Sequence, residues 1–132
     1  MSGFDVSEIM AFWLTEAEEA LSVADHLVEE GDYSYALFFA HLAVEKLLKA
    51  LYAVKRQEHA PPIHNLLRLA RITGIEVDEA RTQELITITG FNLEARYPDF
   101  RRTFRHLCTP EYTAEQMARA KDLFRWLKSL MS

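Results

Sequence analysis

The chain has 132 residues, 49% of them apolar and 27% charged, with a formal net charge of −5. That size and balance fit one globular domain spanning residues 1–132 with a real core, which excludes a disordered or fibrous chain. One cysteine, Cys108, excludes an internal disulfide framework and a Cys-based zinc site, and four glycines and four prolines argue against an all-β sandwich.

No apolar run reaches the about 18–20 residues that span a bilayer. The start, Met1-Ser2-Gly3-Phe4-Asp5, lacks the basic region of a signal peptide. A cytoplasmic protein without membrane contact is therefore expected. The charge is unevenly placed. Residues 1–45 hold ten acids and no Lys or Arg, whereas residues 96–132 hold eight basic residues against four acids. Two readings follow: a basic face for an anionic ligand, or two ends that pair with each other in the fold.

Residues 5–30 place Val6, Ile9, Phe12, Ala17, Ala20, Ala24 and Leu27 on a 3.6-residue stripe. Ser7 or Asp5 is suited to cap this helix, and Gly31 ends it. Asp32 then precedes a helix from about Tyr33 to Arg56, with small residues Ala36, Ala40, Ala43 and Ala50 along one side. Phe38, Phe39, Leu42 and Leu51 widen its apolar surface, which predicts a central position. Glu45 and Lys49 are correctly ordered for an i,i+4 ion pair, and His41 lies one turn before Glu45.

Ala60-Pro61-Pro62 breaks the chain. Ile63–Thr73 predicts a short helix stopped by Gly74, with His64-Asn65 suited to capping it. Asp78 starts a further helix through Leu85, Ile88, Phe91 and Leu93, with Gly90 a candidate kink and Pro98 its end. Thr113-Ala114-Glu115-Gln116 reads as a capping box at the start of the last helix. The fold class is all-α: an up-and-down bundle of four long helices plus one short helix.

The five histidines form no metal-ligand pattern, and the isolated glycines form no phosphate loop, so neither metal nor cofactor is implied. Cys108 follows Arg105 and His106, but an ordinary thiol is the simpler reading. The informative stretch is Asn92–His106, which holds Arg96, Arg101, Arg102, Arg105, His106 and the aromatics Tyr97, Phe100 and Phe104. Guanidinium groups suit phosphate, aromatic rings stack on bases, and a histidine moves protons near neutrality. The competing reading is a basic loop whose aromatics pack inward and whose arginines pair with acids of the first helix.

Taken together, several segments resemble the HEPN domain family. They are Tyr33-Ser34-Tyr35-Ala36 with Phe39 and Ala40, then Ala43-Val44-Glu45-Lys46-Leu47-Leu48-Lys49-Ala50-Leu51. His64-Asn65-Leu66 after Pro61-Pro62, and Asn92 through Arg96-Tyr97-Pro98-Asp99, are similar to its bacterial and archaeal Arg-Tyr-Pro-Asp branch. The resemblance covers nearly the whole chain. It implies a homodimer and a small nucleotidyltransferase-type partner, often within a toxin–antitoxin pair. It also implies metal-independent RNA cleavage by an Arg-x4–6-His motif, matched here by Arg101 and His106.

On that reading Arg101 and His106 are catalytic, while Arg96, Tyr97, Arg102 and Arg105 bind phosphate or nucleotide. In a helix, positions five apart lie about 140° apart around the axis, so Arg102 shares a face with His106 better than Arg101 does. The alternative implied by the resemblance is a non-catalytic dimeric module that binds a nucleotide or polyanion, or an adaptor in a nucleotidyltransferase complex.

Overall fold

The computed structural model describes residues 5–99 and 102–131. Among these, six helices follow one another and no strand occurs: α1 (Val6–Glu29), α2 (Tyr33–Arg56), α3 (Leu66–Thr73), α4 (Glu79–Arg96), α5 (Thr103–Leu107) and α6 (Pro110–Ser129). The bundle is all-α, as its periodicity predicts, with α5 as a second short helix. No described helix is long and apolar enough to cross a membrane.

α2 is the central element and packs against α1, α3, α4, α5 and α6. Its longest partner is α1. The reason lies in side-chain size. Ala17, Ala20 and Ala24 of α1 and Ala36, Ala40 and Ala43 of α2 are all buried. Residues this small let two helix backbones approach closely over their full length. The other sides of α2 present Leu37, Val44, Leu47, Leu48 and Leu51 to one continuous core. Leu66 and Leu69 of α3, Leu85 and Ile88 of α4, and Leu123 and Leu127 of α6 complete that core.

Helix ends are set locally. Asp5, Asn65 and Asp78 each accept from the backbone N–H three residues on, closing the first turns of α1, α3 and α4. Gly31 (φ +80°) and Gly74 (φ +88°) take the left-handed conformation after α1 and α3. Gly90, by contrast, sits within an uninterrupted α4.

Two boundaries differ from the sequence reading. The short helix begins at Leu66, not Ile63, because His64 and Asn65 are held outside it as a bridge and a cap. α6 begins at Pro110 with Thr109 as its cap, so Thr113 is not an N-cap. Thr109 Oγ1 accepts from Tyr112 N–H at 3.1 Å, and Pro110 has no N–H to leave unsatisfied. Thr113 is instead buried within the helix.

Charge is largely sorted by this packing. Lys121 and Lys128 of α6 reach Asp25 and Glu18 of α1 at 2.7 and 2.9 Å, and Lys46 of α2 reaches Glu16 at 3.0 Å. Such exposed pairs contribute little each, but they show that the two ends of the chain neutralise one another here.

The alanine seam yields a stability prediction. Ala40→Leu adds three carbons to a fully buried position and should cost about 1–3 kcal/mol through overpacking. Urea unfolding checks this; an unchanged midpoint would show that the helices are not in close contact there.

Candidate anion-binding site

The site lies where α4 ends and α5 begins. Arg96 occupies the last turn of α4, and Tyr97, 74% exposed, follows it. Asp99 then shapes the next turn: its carboxylate accepts from Thr103 N–H at 2.8 Å and from Thr103 Oγ1–H at 2.6 Å. Arg102, at φ 55°, starts α5, and its carbonyl accepts from His106 N–H at 3.0 Å. Phe104 anchors the short helix by burying its ring beside Phe91, 5.8 Å away. With Phe104 fixed inward, Arg102, Arg105 and His106 are exposed.

Arg102 and Arg105 line a cleft of about 100 Å³ together with Ser34, Tyr35, Glu94 and Asp99. A neighbouring recess shares Ser34, Tyr35 and Arg105 and adds Asp32 and Cys108. The first turn of α2 therefore faces the arginines of α5. Asp32 occupies the N-cap position of α2 but makes no side-chain capping bond. Arg96 is held differently. Its Nε–H donates to Asn92 Oδ1 at 2.7 Å, and its guanidinium lies 5.5 Å from the Phe38 ring centre. Arg101 and Phe100 lie outside the described residues. The structure thus brings Arg102 and Arg105 together at one cleft with His106 beside them on α5, whereas Arg96 faces α2 one turn further along.

The inward-packing alternative applies only in part. Phe104 packs inward, but Tyr97 does not. Among the described residues, Arg96, Arg102 and Arg105 make no ion pair with a carboxylate. All four basic residues of α6 do: Arg119 with Glu115, Lys121 with Asp25, Arg125 with Asp122 and Lys128 with Glu18. Cys108 is buried, and desolvation pushes its thiol up to about 11, so it is no nucleophile near neutrality.

A second polar group lies further along α2. Glu45 is 4% exposed. One of its oxygens accepts from His64 Nδ1–H at 2.9 Å, and the other faces Lys49 Nζ at 3.1 Å. His41, fully buried, donates from Nε2 to the His64 carbonyl at 2.9 Å. A carbonyl only accepts, so Nε2 carries the proton and Nδ1 is an unpartnered acceptor. Lys49 also lies over the Trp13 ring of α1 at 5.2 Å. The sequence offers the pairs His41–Glu45 and Glu45–Lys49, but the member that joins them, His64, stands 19 residues from Glu45. The local signal is three polar residues at i, i+4 and i+8 among the buried apolar residues of α2.

Burial is the main cause that lowers the His41 ring below its ordinary value of 6.5; the His64 carbonyl and Glu45 oppose this, and the charges of His64 and Arg96 add to it. The unfolded chain then takes up a proton at His41 before the folded chain does. The contribution is present above about pH 6.5 and is lost as pH falls through the lower folded value. Stability should therefore fall between about pH 7 and 5, and less so in His41→Gln. Urea midpoints across that range check this; identical slopes for both proteins would contradict it.

The HEPN domain model matches residues 10–130. The crystal structure of TT1696 from Thermus thermophilus is similar in fold, with a TM-score of 0.75 at 21% identity, covering 91% of this chain and 96% of that one. No curated protein matches the sequence.

Proposed function

The chain belongs to the HEPN domain family, and from that premise we propose that it binds the phosphates of an RNA or nucleotide through Arg102 and Arg105, with Arg96 as an outlying contact. The observation that carries this reading is the difference in charge partnering. The cations of α6 are neutralised by carboxylates, as is Arg81 at the start of α4, whereas Arg96, Arg102 and Arg105 make no ion pair among the described residues. A guanidinium left in this state is suited to bidentate phosphate binding. Tyr97 beside it offers an exposed ring on which a base can stack. Single-stranded RNA satisfies both features; a nucleotide satisfies them with fewer contacts.

A second reading is metal-independent endoribonuclease activity, with Arg101 holding the phosphate and His106 moving the proton. The exposed His106 ring, one residue from Arg105, favours it. On either reading the family resemblance supports a homodimer and a small nucleotidyltransferase-type partner. In a toxin–antitoxin pair, that partner would hold the activity in check.

Fluorescence anisotropy with a labelled single-stranded RNA tests the binding. Contacts to about three phosphates predict a slope near −2 in log K against log salt. Arg102→Glu with Arg105→Glu should weaken binding at least about tenfold, while Arg119→Glu, already paired within α6, should leave it nearly unchanged. Equal losses at both places would overturn the reading.

A further inference from the structure

A cleft of about 380 Å³ opens between α4 and α6, within the size range of small-molecule sites. Glu84, Thr87 and Ile88 reach it from one face of α4, and Gln116 reaches it from α6. Gln116 is the group that marks it. This residue is only 8% exposed, yet its side-chain amide makes no hydrogen bond among the described residues. A buried polar group is ordinarily hydrogen-bonded, so this amide calls for a guest in the cleft, water or a ligand.

Water satisfies the amide but not the charge beside it. Glu84 is part-buried and makes neither a hydrogen bond nor an ion pair among the described residues. The nearby cations are engaged elsewhere. Arg119 donates to Glu115 at 2.7 Å. Arg81 faces Asp78 at 3.4 Å and lies over the Trp126 ring at 4.2 Å. Burial is the main cause that raises the Glu84 carboxyl above its ordinary value of 4.5; Arg81 and Arg119 oppose this, and Asp122 and Asp78 add to it. The groups around this carboxylate are mostly acceptors. Gln83 Nε2–H donates to Glu79 at 3.2 Å, which leaves the Gln83 Oε1 to accept, and Thr87 adds a hydroxyl. A carboxylate, two amide oxygens and a hydroxyl complement a group that carries a positive charge and several N–H donors. An ammonium has three such donors, and Ala80 and Ile88 supply apolar wall for the methylenes behind it.

We propose that the cleft between α4 and α6 binds a primary alkylammonium group, with Glu84 as its counter-charge and Gln83, Thr87 and Gln116 as hydrogen-bond acceptors. The site stands apart from the phosphate reading above, since it takes the opposite charge at a different pair of helices. A free small amine and a lysine side chain of another protein share this chemistry.

NMR spectra of the isotope-labelled full chain test this, with 1,4-diaminobutane, Nα-acetyl-lysine amide and tetramethylammonium titrated at constant ionic strength. The primary amines should shift the side-chain amide signals of Gln83 and Gln116 saturably. Tetramethylammonium carries the charge but no N–H donor, and should bind at least about tenfold more weakly. Glu84→Gln keeps the shape and removes the charge, and should weaken amine binding at least about tenfold. Glu29→Gln, at an exposed acid of α1, should leave it unchanged. Tighter binding of diaminobutane identifies a free amine as the ligand, and tighter binding of the lysine derivative identifies a lysine side chain; either supports the site. No saturable shift at Gln116, equal binding of tetramethylammonium, or equal losses in the two variants overturns it. Should Glu84→Gln fail to fold, the comparison with tetramethylammonium on the wild type decides.

Discussion

The buried carboxylate of Glu45 is the constraint on which much of this architecture turns. A charge removed from water is costly unless it is paired and hydrogen-bonded, so every group that reaches Glu45 is held in place by that requirement. Lys49 answers it from the same helix, and His64 answers it from the connection that follows α2. His41 then fastens the backbone of that connection. The segment between α2 and α3 contains two prolines and little apolar surface of its own, yet these contacts tie it to the centre of the bundle. Because Leu66 N–H goes on to Thr89, the same chain of bonds sets α3 against α4, and with it the level of Asn92 and Arg96. Replacing such a group by hydrocarbon is often neutral for stability, so its value lies in geometry.

Charge sorting is the second organising effect. The acids of α1 are drawn to α6 and to Lys46, and the basic C-terminal helix is taken up by internal pairs. Among the described stretches whose cations take no carboxylate partner is the one in which α4 ends and α5 begins. There Asp99 is engaged by Thr103 and Phe104 is committed to the core. Those two anchors turn Arg102 and Arg105 outward. A protein of net negative charge thereby keeps a local surface suited to phosphate, without the overall basic character of a protein that coats nucleic acid.

What was legible in the sequence follows from how local each signal is. α1 and α2 are long enough for periodicity to identify them, and Asp5, Asn65, Asp78, Gly31 and Gly74 mark helix ends through bonds spanning only a few residues. The start of α6 differs from its sequence reading because Thr113-x-x-Gln116 and Thr109-Pro110 are both valid starts; packing, which buries Thr113, chose the earlier one. α5 is a single turn held by Asp99 and Phe104, too short to show a period. Arg96, Arg102 and Arg105 were identifiable by residue type, but their lack of carboxylate partners depends on where α1 and α6 lie. The Glu45 group was invisible as a unit, since its members come from two segments that meet only in the folded chain.

Phosphate binding by Arg96, Arg102 and Arg105, and not by the arginines of α6, is the proposal on which the functional reading depends. Titrating a short single-stranded RNA into isotope-labelled protein while following the arginine Nε–H resonances tests it most directly. The account predicts that Arg96, Arg102 and Arg105 shift with added RNA while Arg119 and Arg125 stay in place. Shifts centred on Arg119 and Arg125, or none at Arg102 and Arg105 at saturating RNA, would contradict it.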